Sequence, residues 1–184
     1  MKILKYLIGF IAILIIAFFV KGLLTPTVEY DCKVMVNKPA DESWAVMSDI
    51  SKMPEWLKGF KKTELVSGTA NTVGAVSKIY IEENGKEMVM EETINEIKLN
   101  ELLNMTFTMD FMNMNYEMKL KEEEGRTHIL TKSTTTGNGL IAKSIVSFMP
   151  SAMKAQEQEN LNNLKQLIEA NTKNYFPEPV VDTQ

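Results

Sequence analysis

Cysteine and histidine are almost missing from this chain, with Cys32 and His128 standing alone among 184 residues. One cysteine excludes an internal disulfide framework, one histidine excludes a histidine-rich metal cage, and no metal or other cofactor is expected. Basic residues are also scarce, 20 against 24 acidic ones. Lys2, Lys5 and Lys21 precede the first acid, Glu29, so the rest of the chain sets 17 basic residues against all 24 acids. A domain of that sign repels phosphate backbones, which excludes nucleic acid as a partner. Repeats and low-complexity tracts are absent. With 45% hydrophobic and 24% charged residues, wholesale disorder is excluded too. The length fits one domain with an anchor and a tail to spare, and a domain of about 150 residues buries roughly 68–70% of its surface. What the chain has in excess is methionine, 13 residues.

The longest uncharged run is Tyr6–Val20, bracketed by Lys5 and Lys21. As a helix it rises about 22 Å, short of a hydrocarbon core of roughly 30 Å. If both lysines snorkel, the stretch extends to Ile3–Leu24, about 33 Å, and spans. A cleaved signal peptide and a buried core helix are the competing readings. Against cleavage, Phe18–Leu24 contains no small-x-small pair, and Cys32 lies too far beyond the run for a lipoprotein site. Against a core helix, the run has no polar face. We therefore expect a single-pass membrane anchor over 1–24 and a linker over 25–27. Gly22–Thr27 reaches at most about 20 Å, which holds the following domain beside the bilayer. Two lysines before the span and one after it put the N-terminus in the cytoplasm and the domain on the extracytoplasmic side.

Past the linker, Val28–Val36 alternates, with Val28, Tyr30, Cys32, Val34 and Val36 on one face. Cys32 reads there as a small buried hydrophobe. Asp41 is a plausible N-cap for a helix through Ser43–Met47, and Ser51 opens a second short turn towards Leu57. A period of two then runs through Lys61–Ser67, Ala75–Glu83, Met88–Ile97, Leu102–Phe111, Asn113–Glu122 and Thr127–Thr136. Gly68, Asn84-Gly85, Leu99-Asn100 and Glu124-Gly125 punctuate these segments as turns, Asn84-Gly85 most clearly. After Gly139 a helix is predicted from Leu140 to Thr172, with Ile141, Ile145, Phe148, Ala152, Leu161, Leu164 and Ile168 near one stripe. Pro150 should kink it or split off its first turns. The domain is thus 28–173, and 174–184, with Pro177 and Pro179, is a loose tail. Seven antiparallel strands need their apolar face covered, and only the last helix is long enough. The sheet must curve around it, leaving a cavity that the two short helices close at one end.

The segment Val34-x-Val36-Asn37-Lys38-Pro39-Ala40-Asp41-Glu42-Ser43-Trp44-Ala45-Val46-Met47-Ser48-Asp49 resembles the opening of the START-like (SRPBCC) superfamily. There a strand ends at a proline-containing corner and leads into a helix carrying an aromatic and a closing aspartate. Met53-Pro54-Glu55-Trp56 is similar to the tryptophan corner that follows, Gly74 to the glycine before the third strand, and Glu159–Lys165 to the C-terminal helix. The resemblance covers roughly 28–172 and is nearest to the polyketide cyclase/dehydrase and lipid transport branch in membrane-anchored bacterial form. It implies an α+β helix-grip fold with an apolar ligand cavity. The superfamily includes carriers, receptors, cyclases, dehydratases and chaperone activators, so it does not fix function.

Met105, Phe107, Met109 and Phe111 share one strand face, Met112, Met114, Tyr116, Met118 and Leu120 share the next, and Met88 and Met90 share an earlier one. Unbranched, polarisable methionine either fills an irregular core or lines a pocket that adapts to varied guests. With Met47, Trp56, Ile145 and Phe148, these positions (Leu120 apart) make up the candidate ligand cavity. For catalysis, Glu91 and Glu92 are adjacent, so a regular strand must turn one of them inward as a possible base. His128 shares a side with Arg126, Leu130 and Lys132 and reads as solvated, as do Asp110 and the Lys119–Glu124 hairpin end. Thr134–Gly139 lacks a phosphate-loop lysine and reads as a strand end and hinge. Leu140–Met149 is apolar on more than one side, either the buried start of the last helix or a gate or bilayer contact. The function expected is a tethered module binding a hydrophobic or lipid-like molecule without bond chemistry. A cyclase or dehydratase using an inward carboxylate, and a protein-interaction module with a filled core, are the alternatives.

Overall fold

A computed structural model of the chain describes residues 2–83 and 85–176. Asn84 and 177–184, where the clearest turn signal and most of the loose tail fall, lie outside the described residues. The apolar run is one continuous helix, α1 (Lys2–Leu24), of which Ile3–Leu24 is long and apolar enough to cross a membrane. It leads through Thr25, whose hydroxyl donates to the Lys21 carbonyl at 2.8 Å, into β1 (Thr27–Val36). There follow α2 (Ala40–Met47), a 3-10 turn (Ile50–Lys52) and α3 (Met53–Trp56). Six strands come next: β2 (Phe60–Ser67), β3 (Val76–Glu83), β4 (Lys86–Lys98), β5 (Leu102–Thr108), β6 (Met112–Glu123) and β7 (Arg126–Gly137). Two helices end the fold, α4 (Gly139–Val146) and α5 (Pro150–Ala170).

All seven strands form one antiparallel sheet in the order β1-β7-β6-β5-β4-β3-β2, a meander whose last strand returns to pair with the first. A two-residue hairpin joins β6 to β7, with Glu123 opposite Arg126. Glu124 and Gly125 there have φ of 53° and 71°, the double positive pair that a two-residue hairpin of right-handed twist requires. Pairing fixes which side chains share the inner face. One row reads Ile94, Met105, Tyr116, Ser133 and Tyr30, and the row beside it reads Glu92, Phe107, Met114, Thr135 and Val28.

Helix α5 lies across this face. Leu161, Leu164 and Ile168 are fully buried, each contributing roughly 2 kcal/mol of transfer free energy. Polar ties fix its register on β1. The Gln158 amide donates to the Lys33 carbonyl at 3.2 Å, and the Asn37 backbone and side-chain N–H groups donate to Glu169 at 2.9 and 3.0 Å. At that distal end α2 buries Ser43, Trp44, Val46 and Met47, and these pack with Val36, Leu120, Ile129 and Met118 in a closed core.

Several expectations need correction. Helix α2 starts at Ala40, after Pro39, and is not capped by Asp41; its first amide, Ala40 N–H, donates to Glu122 Oε2 at 2.8 Å. The hairpin glutamate is therefore a cap and not simply solvated surface. Asp49, not Ser51, opens the second turn, accepting from the Ser51 backbone N–H at 3.1 Å and hydroxyl at 2.6 Å. Strand β5 stops at Thr108, because the Met109 N–H turns to the Met112 carbonyl at 2.9 Å, so Phe111 sits in the turn and is exposed. The last helix is split at Pro150, one of the two outcomes expected there. Helix α4 ends at Val146, Ser147–Met149 break the axis, and α5 begins on Pro150, whose ring suits a first helical turn. The apolar stripe does not run through the break: Ile141, Ile145, Phe148 and Ala152 are exposed. The buried start of the last helix expected at 140–149 is thus an independent helix with an outward apolar face.

Candidate functional site

The inner face divides into two halves. In the distal half the expected cavity residues Met47, Trp56, Met105, Tyr116 and Met118 are buried and belong to one packed cluster with Leu161, Leu164 and Ile168. There methionine fills a core. The other half lies where β1 begins, β7 ends and α4 and α5 meet. Its inward residues Met88, Met90, Met112 and Met114 are only half-buried, as are Ile81 on β3 and Met153 on α5. Phe107 is buried within the same packed cluster, against which Ile81, Met90 and Met114 pack, and Met109 is buried beside it in sequence. In the first turns of α5, Ser151, Ala152, Lys154 and Ala155 are exposed, while Met153 and Glu157 are half-buried and the Lys154 carbonyl meets Cys32 of β1.

Glu92 lies on the inner face of β4, opposite Phe107, while Glu91 points out into solvent. Glu92 makes no hydrogen bond among the described residues, and burial alone pushes its carboxyl up to about 7. Near neutral pH it is thus close to half protonated, a poise that serves a general acid or base and also a hydrogen-bond donor.

A second polar group faces the same interior. The Tyr116 hydroxyl donates to Glu157 Oε1 on α5 at 2.8 Å. Burial raises the Glu157 carboxyl, which the Tyr116 hydrogen bond opposes, and burial raises the Tyr116 phenol well above its usual value. Tyr30, its phenol also raised by burial, places its hydroxyl 3.9 Å from Met114 Sδ. Thr135 Oγ1 on β7 and Trp56 Nε1 are buried and find no partner among the described residues, while the buried Ser133 hydroxyl faces the Tyr30 phenol and opposes the effect of burial on it. Orphaned buried donors of this kind are rare and point to a missing companion group. Glu157 was legible in principle: 157, 161, 164 and 168 keep helical spacing, so the apolar stripe of α5 carries one carboxylate.

Other candidates stand apart. Ile145 is exposed on α4, and Phe148, exposed just after it, stacks on Phe18 of α1 rather than facing the sheet. His128 is outward beside Glu123, at 3.9 Å, and Asp110 is exposed. Cys32 is buried, its Sγ 3.5 Å from the Lys154 carbonyl, and burial raises its thiol, so it is inert. A groove of about 970 Å³ lies at the distal corner, between Pro39–Asp41, Lys98–Leu102 and Lys119–Glu122. It is open to solvent and rimmed by charges of both signs, and it shares no residue with the two rows that hold Glu92, Tyr116 and Thr135. The inner face thus gathers Glu92, the Tyr116–Glu157 pair and the buried hydroxyls of β7.

Residues 27–169 match the family model described as polyketide cyclase / dehydrase and lipid transport. Among solved structures, Zhui aromatase/cyclase from Streptomyces sp. R1128 is similar with a TM-score of 0.65 and 14% identity, covering 78% of this chain and 94% of that one. Ara h 8.0201 is similar with a TM-score of 0.63 and 16% identity, covering 79% of this chain and 99% of that one. The di-domain ARO/CYC StfQ from the steffimycin biosynthetic pathway gives 0.64 and 11%, covering 78% of this chain and 51% of that one. At these identities the common property is the fold, the helix-grip arrangement of a seven-stranded antiparallel sheet around a C-terminal helix. No curated protein sequence matches the chain.

Proposed function

The chain belongs to the polyketide cyclase/dehydrase and lipid transport family, and from that premise we propose that it is a membrane-tethered module holding one hydrophobic or lipid-like molecule in the open half of its grip. The observation that carries this reading is the contrast between the two halves. Met47, Met105 and Met118 lie inside the packed cluster, Met90 and Met114 are half-buried against it, and Met88 and Met112 are half-buried outside it. Flexible thioethers around an open apolar hollow suit a guest of variable shape. The row Glu92, Phe107, Met114, Thr135 sets polar groups at both ends of an apolar strip. Three strand spacings separate its ends, roughly 14 Å along the sheet. That pattern favours a flat or extended apolar guest with an oxygen near each end. The apolar helix α1 supports the tether, and its short link to β1 keeps the hollow near lipid.

A second reading rests on Glu92. A carboxylate near neutral poise against an apolar wall is suited to moving a proton at a carbon next to a carbonyl, as a cyclase or dehydratase requires. One experiment separates the two. The full chain in lipid nanodiscs is titrated with a polarity-sensitive naphthalene fluorophore, then with Met90→Lys, Met114→Lys and Glu92→Gln variants. Binding predicts saturable enhancement at one site, lost in both lysine variants and kept in Glu92→Gln, which retains a donor. Enhancement that survives both lysine variants rejects the site. Turnover of a linear polyketone by the parent, abolished in Glu92→Gln, selects the enzymatic reading.

A further inference from the structure

Helix α4 is held on two sides. Gly22 of α1 is buried against it, and a methyl group there would meet the Ser144 backbone at 2.6 Å. Phe18 stacks on Phe148 with ring centroids 5.7 Å apart and planes 10° from parallel, and Lys21 Nζ stands 3.8 Å over the same ring. Towards the sheet, a methyl at Gly137 would overlap the backbone of Ala142 and Lys143. Asn138, just before α4, donates its backbone N–H to the Phe111 carbonyl at 2.7 Å and its side-chain amide to the Met109 carbonyl at 3.1 Å. The helix is thus clamped between the end of α1 and the turn that borders the open half of the grip.

Despite these clamps, an apolar stripe of α4 is bare. Ile141, Ile145 and Phe148 follow i, i+4, i+7 spacing and are 65%, 44% and 56% exposed, while Ala142, Ser144 and Val146 are buried. An exposed apolar helix face calls for a partner. Its neighbour is α1, whose own Ile13 and Ile16 are bare, and the Phe18–Phe148 stack joins the two surfaces into one. Lys21 sets the level. It is the charge that closes the apolar run, so it belongs at the headgroups, and it touches Phe148.

We propose that α4 lies in the interfacial layer of the bilayer, with Ile141, Ile145 and Phe148 turned into lipid, and that the open half of the grip consequently faces the membrane. A hydrophobic guest then exchanges directly with the bilayer without crossing bulk water. This rests on α1 being a membrane span and deepens the binding reading above.

The test uses the full chain with a Cys32→Ala background, reconstituted in phosphatidylcholine vesicles without added ligand. An environment-sensitive nitrobenzoxadiazole probe is placed by Ile141→Cys, by Ile145→Cys, and by Leu99→Cys at the distal end. Doxyl-labelled lipids should quench the probe at 141 and 145, reporting a depth of about 5–10 Å into the headgroup/acyl boundary, and leave 99 untouched. A water-like, unquenched probe at both α4 positions overturns the proposal. So does a probe shielded from water but untouched by doxyl lipid, with energy transfer between copies, because a second copy then covers the stripe. Alkaline carbonate washing of the same vesicles tests the span separately: release of the chain defeats the anchor and this inference together, whereas retention with a wet probe defeats only the placement of α4. Neither outcome depends on ligand binding, which the fluorophore titration reads alone.

Discussion

Glu92 concentrates the energetic argument at single-residue scale. Its ordinary value near 4.5 rises to about 7 in the fold through burial. The folded state therefore binds this proton more tightly than the unfolded state between those values. Stability should fall as pH rises from about 4.5 to 7 and flatten above, by roughly 3 kcal/mol at the most. Glu92→Gln should remove that slope, raising the melting temperature at pH 8 and leaving it nearly unchanged at pH 4.5; thermal denaturation across that range checks it. Equal melting shifts at both pH values would mean the carboxyl is solvated. The Tyr116–Glu157 pair makes a different demand. Tyr116→Phe leaves a buried carboxyl without its donor and should cost about 1–3 kcal/mol. In a double-mutant cycle with Glu157→Gln, a coupling energy below about 0.5 kcal/mol would show that the hydrogen bond carries no weight. Glu157 escaped sequence reading because a charged residue within an amphipathic helix is normally assigned to its wet side.

At the scale of elements, alternation located all seven strands, since each strand of a one-sided sheet must put every second residue in the core. It also put Met105, Phe107 and Met109 on one inner face, and Glu92 rather than Glu91 is the glutamate that turned inward. What alternation cannot carry is coverage. Met90 and Met105 read alike along their strands, yet one is half-buried against the packed cluster and the other buried inside it. The helical stripe failed for a related reason: apolar spacing at 141, 145 and 148 looks the same whether it meets a sheet, another helix or lipid. Asp49 shows how a sequence motif gained a concrete role. It caps the 3-10 turn and binds Lys173 Nζ and the Tyr175 hydroxyl, each at 2.9 Å, so it ties the end of the chain to the helical corner. The Ser51 hydrogen bonds, then Lys173, hold its carboxyl below the usual range. Asp49→Ala should cost about 1–2 kcal/mol and speed amide exchange at the Lys173 and Phe176 N–H groups. Unchanged exchange there would show the tie to be idle. Gly22→Leu should force α1 away from α4, and a probe at position 145 should then lose its lipid quenching while the sheet still melts cooperatively.

As a whole molecule, this is a helix grip with a packed core under α2 and α5, and the opening proposed above lies at the end nearest the apolar helix. A closed distal core of Val36, Leu120, Ile129, Leu161 and Leu164 gives the sheet its stability, which frees the other half from being filled. On the proposed reading, one scaffold keeps a packed interior and still offers room to a guest. On that reading the methionine excess has two uses, core filler around Met105 and Met118 and adaptable lining at Met88 and Met112. The most direct measurement is native mass spectrometry of the full chain released from nanodiscs made of native lipid extract. The expected result is a one-to-one adduct of lipid-like mass, retained by the parent and by Glu91→Gln and lost in Met90→Lys and Met114→Lys. A parent chain that repeatedly emerges bare, or an adduct that persists in both lysine variants, would contradict a binding hollow on the inner face of the sheet.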